Sequence, residues 1–111
     1  NFGPKAEQNR TVINLANDLY KKLSSNISSK SAYEIIDNKP FHEAGLLKLS
    51  CDKALMHLNW EANLSYDDCV DFIGEWYSAY LENGDMPKIT SDQIHKYTEL
   101  AHKKNLKWTQ N

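Results

Sequence analysis

The chain has 111 residues, with 13 basic and 15 acidic side chains, a formal net charge of -2 and a hydrophobic content of 41%. That length suits one domain or a piece of one. The near-balanced, interspersed charge gives no field suited to nucleic acid or a membrane surface, and no apolar run approaches the ~20 residues of a membrane-spanning helix.

Asn1-Phe2-Gly3-Pro4 reads as a strand end entering a turn, because Gly and Pro punctuate it. It is neither a signal peptide nor a natural start, so the chain is expected to be an excised fragment. The first helix is predicted over Glu7 to Leu23, with Val12, Leu15, Ala16, Leu19 and Leu23 on one face. Lys21 and Lys22 suit the dipole of its last turn. After the polar break at Ser24 to Ser29, Ser31 to Ile36 is expected to form a short strand ended by Asp37-Asn38-Lys39-Pro40. Ala44 to Leu49 is expected to be extended as well.

Ser50 offers an N-cap for a second helix running to about Leu58, with Ala54, Leu55 and Leu58 inward. Ser65-Tyr66-Asp67-Asp68 fits a capping box for a third helix to about Leu81, with a stripe of Cys69, Phe72, Ile73, Trp76 and Tyr80. Asn83-Gly84 stops it. Gly84-Asp85-Met86-Pro87 is the linker candidate, and Thr90-Ser91-Asp92-Gln93 a third capping signature for a last helix to about Lys104. The fold class is therefore mainly α with one or two short strands (α+β). Two short strands are marginal alone in water, so they would need partners from a missing part of the chain.

Several chemistries are absent. The four glycines, Gly3, Gly45, Gly74 and Gly84, are too far apart to make the Gly-rich turn that presents a helix N-terminus to pyrophosphate. None of the six tyrosines has Lys four positions on. Gly-x-Ser-x-Gly, Walker and His-Glu-x-x-His patterns are missing too. Cys51 and Cys69 form no CxxC pair or Cys/His cluster, which argues against zinc. A reduced, partly buried, cytoplasmic pair is expected.

The block His42-Glu43-Ala44, then Leu47-Lys48-Leu49-Ser50-Cys51-Asp52-Lys53-Ala54, resembles the "HEA…LKLDxxKA" block of the CDP-glucose 4,6-dehydratases, with Ser50 where Asp is usual. These are extended short-chain dehydrogenase/reductases of the NAD-dependent epimerase/dehydratase superfamily. Leu58-Asn59-Trp60 resembles the superfamily's Leu-Gly-Trp, with Asn for Gly. Glu75-Trp76-Tyr77 is similar to its closing Trp-Tyr helix, and Gln93-Ile94, Tyr97, Ala101 and Trp108 to the subfamily's C-terminal extension. The resemblance covers nearly the whole chain.

What the resemblance implies is a C-terminal nucleotide-sugar-binding lobe over residues 1–83, with a helical extension over 84–111, lacking the Rossmann domain. The parent enzyme, a cytoplasmic lyase of surface-polysaccharide biosynthesis and a homodimer, would convert CDP-glucose to CDP-4-keto-6-deoxyglucose with NAD held by the missing domain. This chain would hold no catalytic residue and no cofactor or metal, and would contact neither nucleic acid nor membrane.

Glu43 is the foremost ligand candidate: in related enzymes an acidic residue at this position accepts hydrogen bonds from ribose hydroxyls, and a carboxylate can take two O–H donors. The alternative is a surface Glu at a strand start. His42 would contact ribose or phosphate, or sit in the turn held by a backbone carbonyl. Arg10 and Lys39 would approach the pyrophosphate through charge-assisted bonds, or remain solvated loop charges. Pro40-Phe41 stands where many relatives place an Arg, so the phosphate partner could lie in the missing part. Trp60, Trp76 and Tyr77 are assigned to core packing rather than base stacking, and His57, His95 and His102 to the surface.

A small helical interaction module without ligand is the alternative function. A helix-turn-helix DNA binder is disfavoured, because the third helix carries Asp67, Asp68, Asp71 and Glu75 where a recognition helix should be basic.

Overall fold

The computed structural model describes residues 1–4, 10–23, 25–28, 30–35 and 49–110. Among them lie four α-helices: α1 (Val12–Leu23), α2 (Asp52–Leu58), α3 (Tyr66–Leu81) and α4 (Met86–Lys103), followed by one 3-10 turn at Lys107–Thr109. The mainly helical reading holds. Neither expected strand is seen among the described residues: 31–35 is irregular, as is Leu49, and Ile36 and 44–48 lie outside them. An alternating pattern becomes a strand only when a neighbouring backbone completes its ladder.

Helix boundaries follow local capping chemistry. At α1, Thr11 and Asn14 cap each other: Asn14 N–H donates to Thr11 Oγ1 at 3.1 Å and Thr11 N–H to Asn14 Oδ1 at 3.2 Å. The helix therefore starts at Val12, later than the apolar periodicity suggested; residues 5–9 lie outside the described set. At α3 the predicted capping box is present. Asp68 N–H donates to Ser65 Oγ at 3.1 Å, and Ser65 N–H to Asp68 Oδ2 at 2.9 Å.

Two starts differ from the sequence reading. Cys51, not Ser50, is the N-cap of α2 and makes no side-chain cap bond; Ser50 Oγ only reaches Asp52 N–H at 3.4 Å. The segment Gly84–Pro87 is not a linker. Asp85 caps Lys88 N–H at 3.1 Å and Pro87 sits in the first turn of α4, where its missing N–H costs nothing. The helix thus begins before Thr90-Ser91-Asp92-Gln93, of which Thr90 and Gln93 serve α3 instead while Asp92 pairs with Lys88 within α4. Trp76 Nε1 donates to Thr90 Oγ1 at 3.0 Å, and Gln93 Nε2 to the Phe72 carbonyl at 2.7 Å.

Asparagines end three helices in the left-handed region, at Asn59 (φ 51°), Asn83 (φ 57°) and Asn105 (φ 53°). Asn tolerates this conformation better than other non-glycine residues. At Asn59 it lets Trp60 N–H turn back to the Ala54 carbonyl at 3.3 Å. Asn in place of Gly within Leu58-Asn59-Trp60 is therefore a substitution the backbone accepts.

α3 is the middle of a helical layer, with α1 on one flank and α4 on the other; α1 and α4 share no close backbone contact. Gly74 makes the α1 contact possible. A Cβ there would lie 2.8 Å from Lys22 Cβ and 3.1 Å from its Cγ, so the Lys22 stem lies across Gly74 and its ammonium reaches Asp71 at 2.6 Å. On the other flank Lys96 pairs with Glu75 at 3.2 Å. α2 stands apart from the layer. It is held through Phe2, whose ring meets Trp60 edge-on at 5.0 Å, and through Asn1, whose amide donates to the Ser50 carbonyl at 3.4 Å.

The core is thin. Its buried apolar members among the described residues are Ala54, Val70 and Ala101, all small.

Gly74→Ala should destabilise the fold by about 1–2 kcal/mol in a urea titration: better helix propensity returns about 1 kcal/mol, while a clash with a Cβ close to the partner backbone costs more. A stabilised variant would mean that α1 does not lie against Gly74. At Asn59, replacement by Gly should change stability by only a few tenths of a kcal/mol, whereas Val should cost about 2 kcal/mol through its left-handed backbone. Equal effects of the two would remove the special conformation.

Candidate functional site

Of the four predicted substrate contacts, His42, Glu43 and Lys39 lie outside the described residues. Arg10 is the one the structure places. It stands just before α1, with its guanidinium carbon 4.9 Å from the centre of the Tyr66 ring. Tyr66 opens α3, and its hydroxyl donates to Asp18 Oδ2 at 3.0 Å. Asp18 also takes the Lys21 ammonium at 3.0 Å.

This cluster ties the middle of α1 to the start of α3, a contact the sequence reading missed because its partners are 48 positions apart. The bonds from Lys21 and Tyr66 hold the Asp18 carboxyl below its ordinary range. Partial burial, then the Asp18 acceptor, push the Tyr66 phenol up. Arg10 carries its charge on an exposed side chain at the edge of this cluster. A guanidinium held over a ring keeps its outward N–H groups available to an anion.

The described glycines leave no cradle for a dinucleotide. A pyrophosphate needs glycine where its oxygens approach the backbone. The space over Gly74 holds the Lys22 stem, that over Gly84 is taken by the Ala79 carbonyl and Ile89, and Gly3 faces Cys51 Sγ. No group of three or more His, Cys, Asp or Glu among the described residues could hold a metal ion. Cys51 and Cys69 are free and half-buried; burial, then the Asp68 charge, raise the Cys69 thiol, which makes it a poor nucleophile. His57, His95 and His102 are exposed, as expected.

The aromatic residues depart from the sequence reading. Trp60 and Trp76 are half-buried, but Tyr77 is 49% exposed and Tyr80 57% exposed. The predicted apolar stripe of α3 is not the side that meets α1; that side carries Val70 and Gly74. Helical geometry puts Cys69, Ile73, Tyr77 and Tyr80 on one face of α3 and Asp67, Asp71 and Glu75 on the opposite one. Trp76 lies at the edge of the uncharged face, edge-on to Tyr77 and stacked on Tyr80 at 5.7 Å.

Between α3 and α4 this face opens into a shallow trough of about 350 Å³ lined by Phe72, Ile73, Trp76, Tyr77 and Gln93. The Trp76 indole and the Gln93 amide both spend donors inside the layer, on Thr90 and on the Phe72 carbonyl. The trough therefore presents mainly apolar surface. The signal for it was present in the sequence: α3 is apolar around most of its circumference, as helices covered on several sides are.

The loop before α3 is fixed to α4. Asn63 is 2% exposed and donates to the Tyr97 carbonyl at 2.7 Å, while the Lys104 ammonium donates to the Asn63 carbonyl. Tyr97 in turn stacks on Trp108 at 6.2 Å. Residues 84–110 thus pack on the preceding segment through Asn63, Tyr97 and Lys104.

A comparison with curated proteins gives a relative at this point. The chain is 31% identical over 97 residues to the CDP-glucose 4,6-dehydratase of Salmonella typhimurium (strain LT2). This is similarity to part of an enzyme. The matched stretch takes up 87% of this chain but 26% of the relative, so the chain spans about a quarter of that protein's length. No protein-family model matches, and no solved structure does. No helix among the described residues is long and apolar enough to cross a membrane.

Acid stability should report the carboxylates that these contacts hold. The Ser65 backbone N–H, then its hydroxyl, depress the Asp68 carboxyl. A folded-state pKa below the unfolded value of about 3.9 contributes stability that is present above that pH and lost as pH falls through the lower folded value. Asp68→Asn should flatten the loss of stability below about pH 4, and Ser65→Ala should flatten it less, since the backbone bond remains. An unchanged acid limb in Asp68→Asn, measured by denaturation at pH 3 to 6, would take Asp68 out of the cap.

Proposed function

We propose that this chain is the nucleotide-sugar-binding portion of a CDP-glucose 4,6-dehydratase, a lyase that converts CDP-glucose to CDP-4-keto-6-deoxyglucose. The observation that carries the reading is the 31% identity over 97 residues to an enzyme of that name. The lobe over 1–83 and the extension over 84–111 would act as one piece, a reading supported by the bonds of Asn63 and Lys104 across that boundary. NAD and the proton-transfer groups would belong to the remainder of the parent, an N-terminal Rossmann domain. The parent would be a cytoplasmic homodimer serving polysaccharide biosynthesis.

In this reading Glu43 accepts the ribose hydroxyls, His42 donates to ribose or phosphate, and Arg10 and Lys39 approach the pyrophosphate. The exposed guanidinium of Arg10, anchored on Tyr66, supports its part. The uncharged face of α3 supports the presence of a second domain. Domains are built from packed layers around a shared core, and a layer that leaves Ile73, Tyr77, Tyr80 and Ile94 exposed lacks the cover such residues receive in a complete domain. The same face is the observation that favours the alternative, a small helical interaction module without enzymatic role. The parent reading frame separates the two: a Gly-rich turn and a Tyr-x-x-x-Lys upstream belong to the enzyme.

The experiment is a heteronuclear NMR titration of this chain with CDP-glucose, CDP and UDP-glucose. Shifts centred on His42, Glu43 and Arg10, larger for the cytidine ligands, are expected. Dispersed spectra with no shifts from any ligand would sink the claim that this chain alone reads the nucleotide. In the full-length parent, Glu43→Ala should raise KM for CDP-glucose about tenfold or more, the effect of losing hydrogen bonds to a charged acceptor. An unchanged KM would remove Glu43 from the site.

A further inference from the structure

We draw no further inference here: the strongest candidate, the uncharged aromatic face of α3 and α4 around Ile73, Tyr77, Tyr80 and Ile94, is already taken up by the proposed contact with a second domain, and nothing in the structure shows what else would cover it.

Discussion

The missing side chain of Gly74 sets how closely α1 can lie on α3, and the layer is organised around that approach. With hydrogen in place of a methyl, the Lys22 stem crosses α3 at van der Waals distance and its ammonium reaches Asp71. The exposed ion pair itself contributes little. Its value is positional, because it fixes which side of α3 belongs to α1. Tyr66 and Asp18 fix the other end of the same crossing. With α1 placed, α4 takes the opposite flank through Thr90, Gln93 and Lys96. What remains of α3 is one acidic face and one aromatic face.

That division has an energetic meaning. Burial of large apolar side chains is the main driving term of folding, yet the buried apolar residues described here are Ala54, Val70 and Ala101. Hydrogen bonds and caps determine where the helices begin and end, but they are worth about 1 kcal/mol each and do not replace a core. Tyr77 and Tyr80 stay on an open face and add little to that term.

α4 shows how polar groups can be reassigned by packing. Thr90-Ser91-Asp92-Gln93 carries the residue types of a helix start. In the folded chain Asp85 and Pro87 start the helix one turn earlier, and Thr90 and Gln93 become acceptor and donor for α3. Asn63 does the same from the loop side. Thr90 and Gln93 are satisfied by a distant indole and backbone, whereas Asn63 spends its amide N–H on the Tyr97 carbonyl and leaves its buried Oδ1 without a partner.

The sequence by itself determined the elements whose causes are local. The Ser65–Asp68 box, the Asn83 stop, the end of α2 at Asn59 and the helical character of the chain all follow from contacts within a few residues, and the motif blocks that point to a nucleotide-sugar enzyme are legible without coordinates. Only the tertiary structure decided which apolar stripes are covered. Val12, Ile73, Tyr80 and Ile94 sit at helical spacing like any core residue, but periodicity records that a face is apolar and not what lies against it. It also decided where Arg10 sits, because the ring beneath its guanidinium belongs to a residue 56 positions away. His42, Glu43 and Lys39 were legible through motif resemblance alone and lie outside the described residues. Short-range chemistry is written in neighbouring letters, whereas burial is a property of what the rest of the molecule brings to a surface.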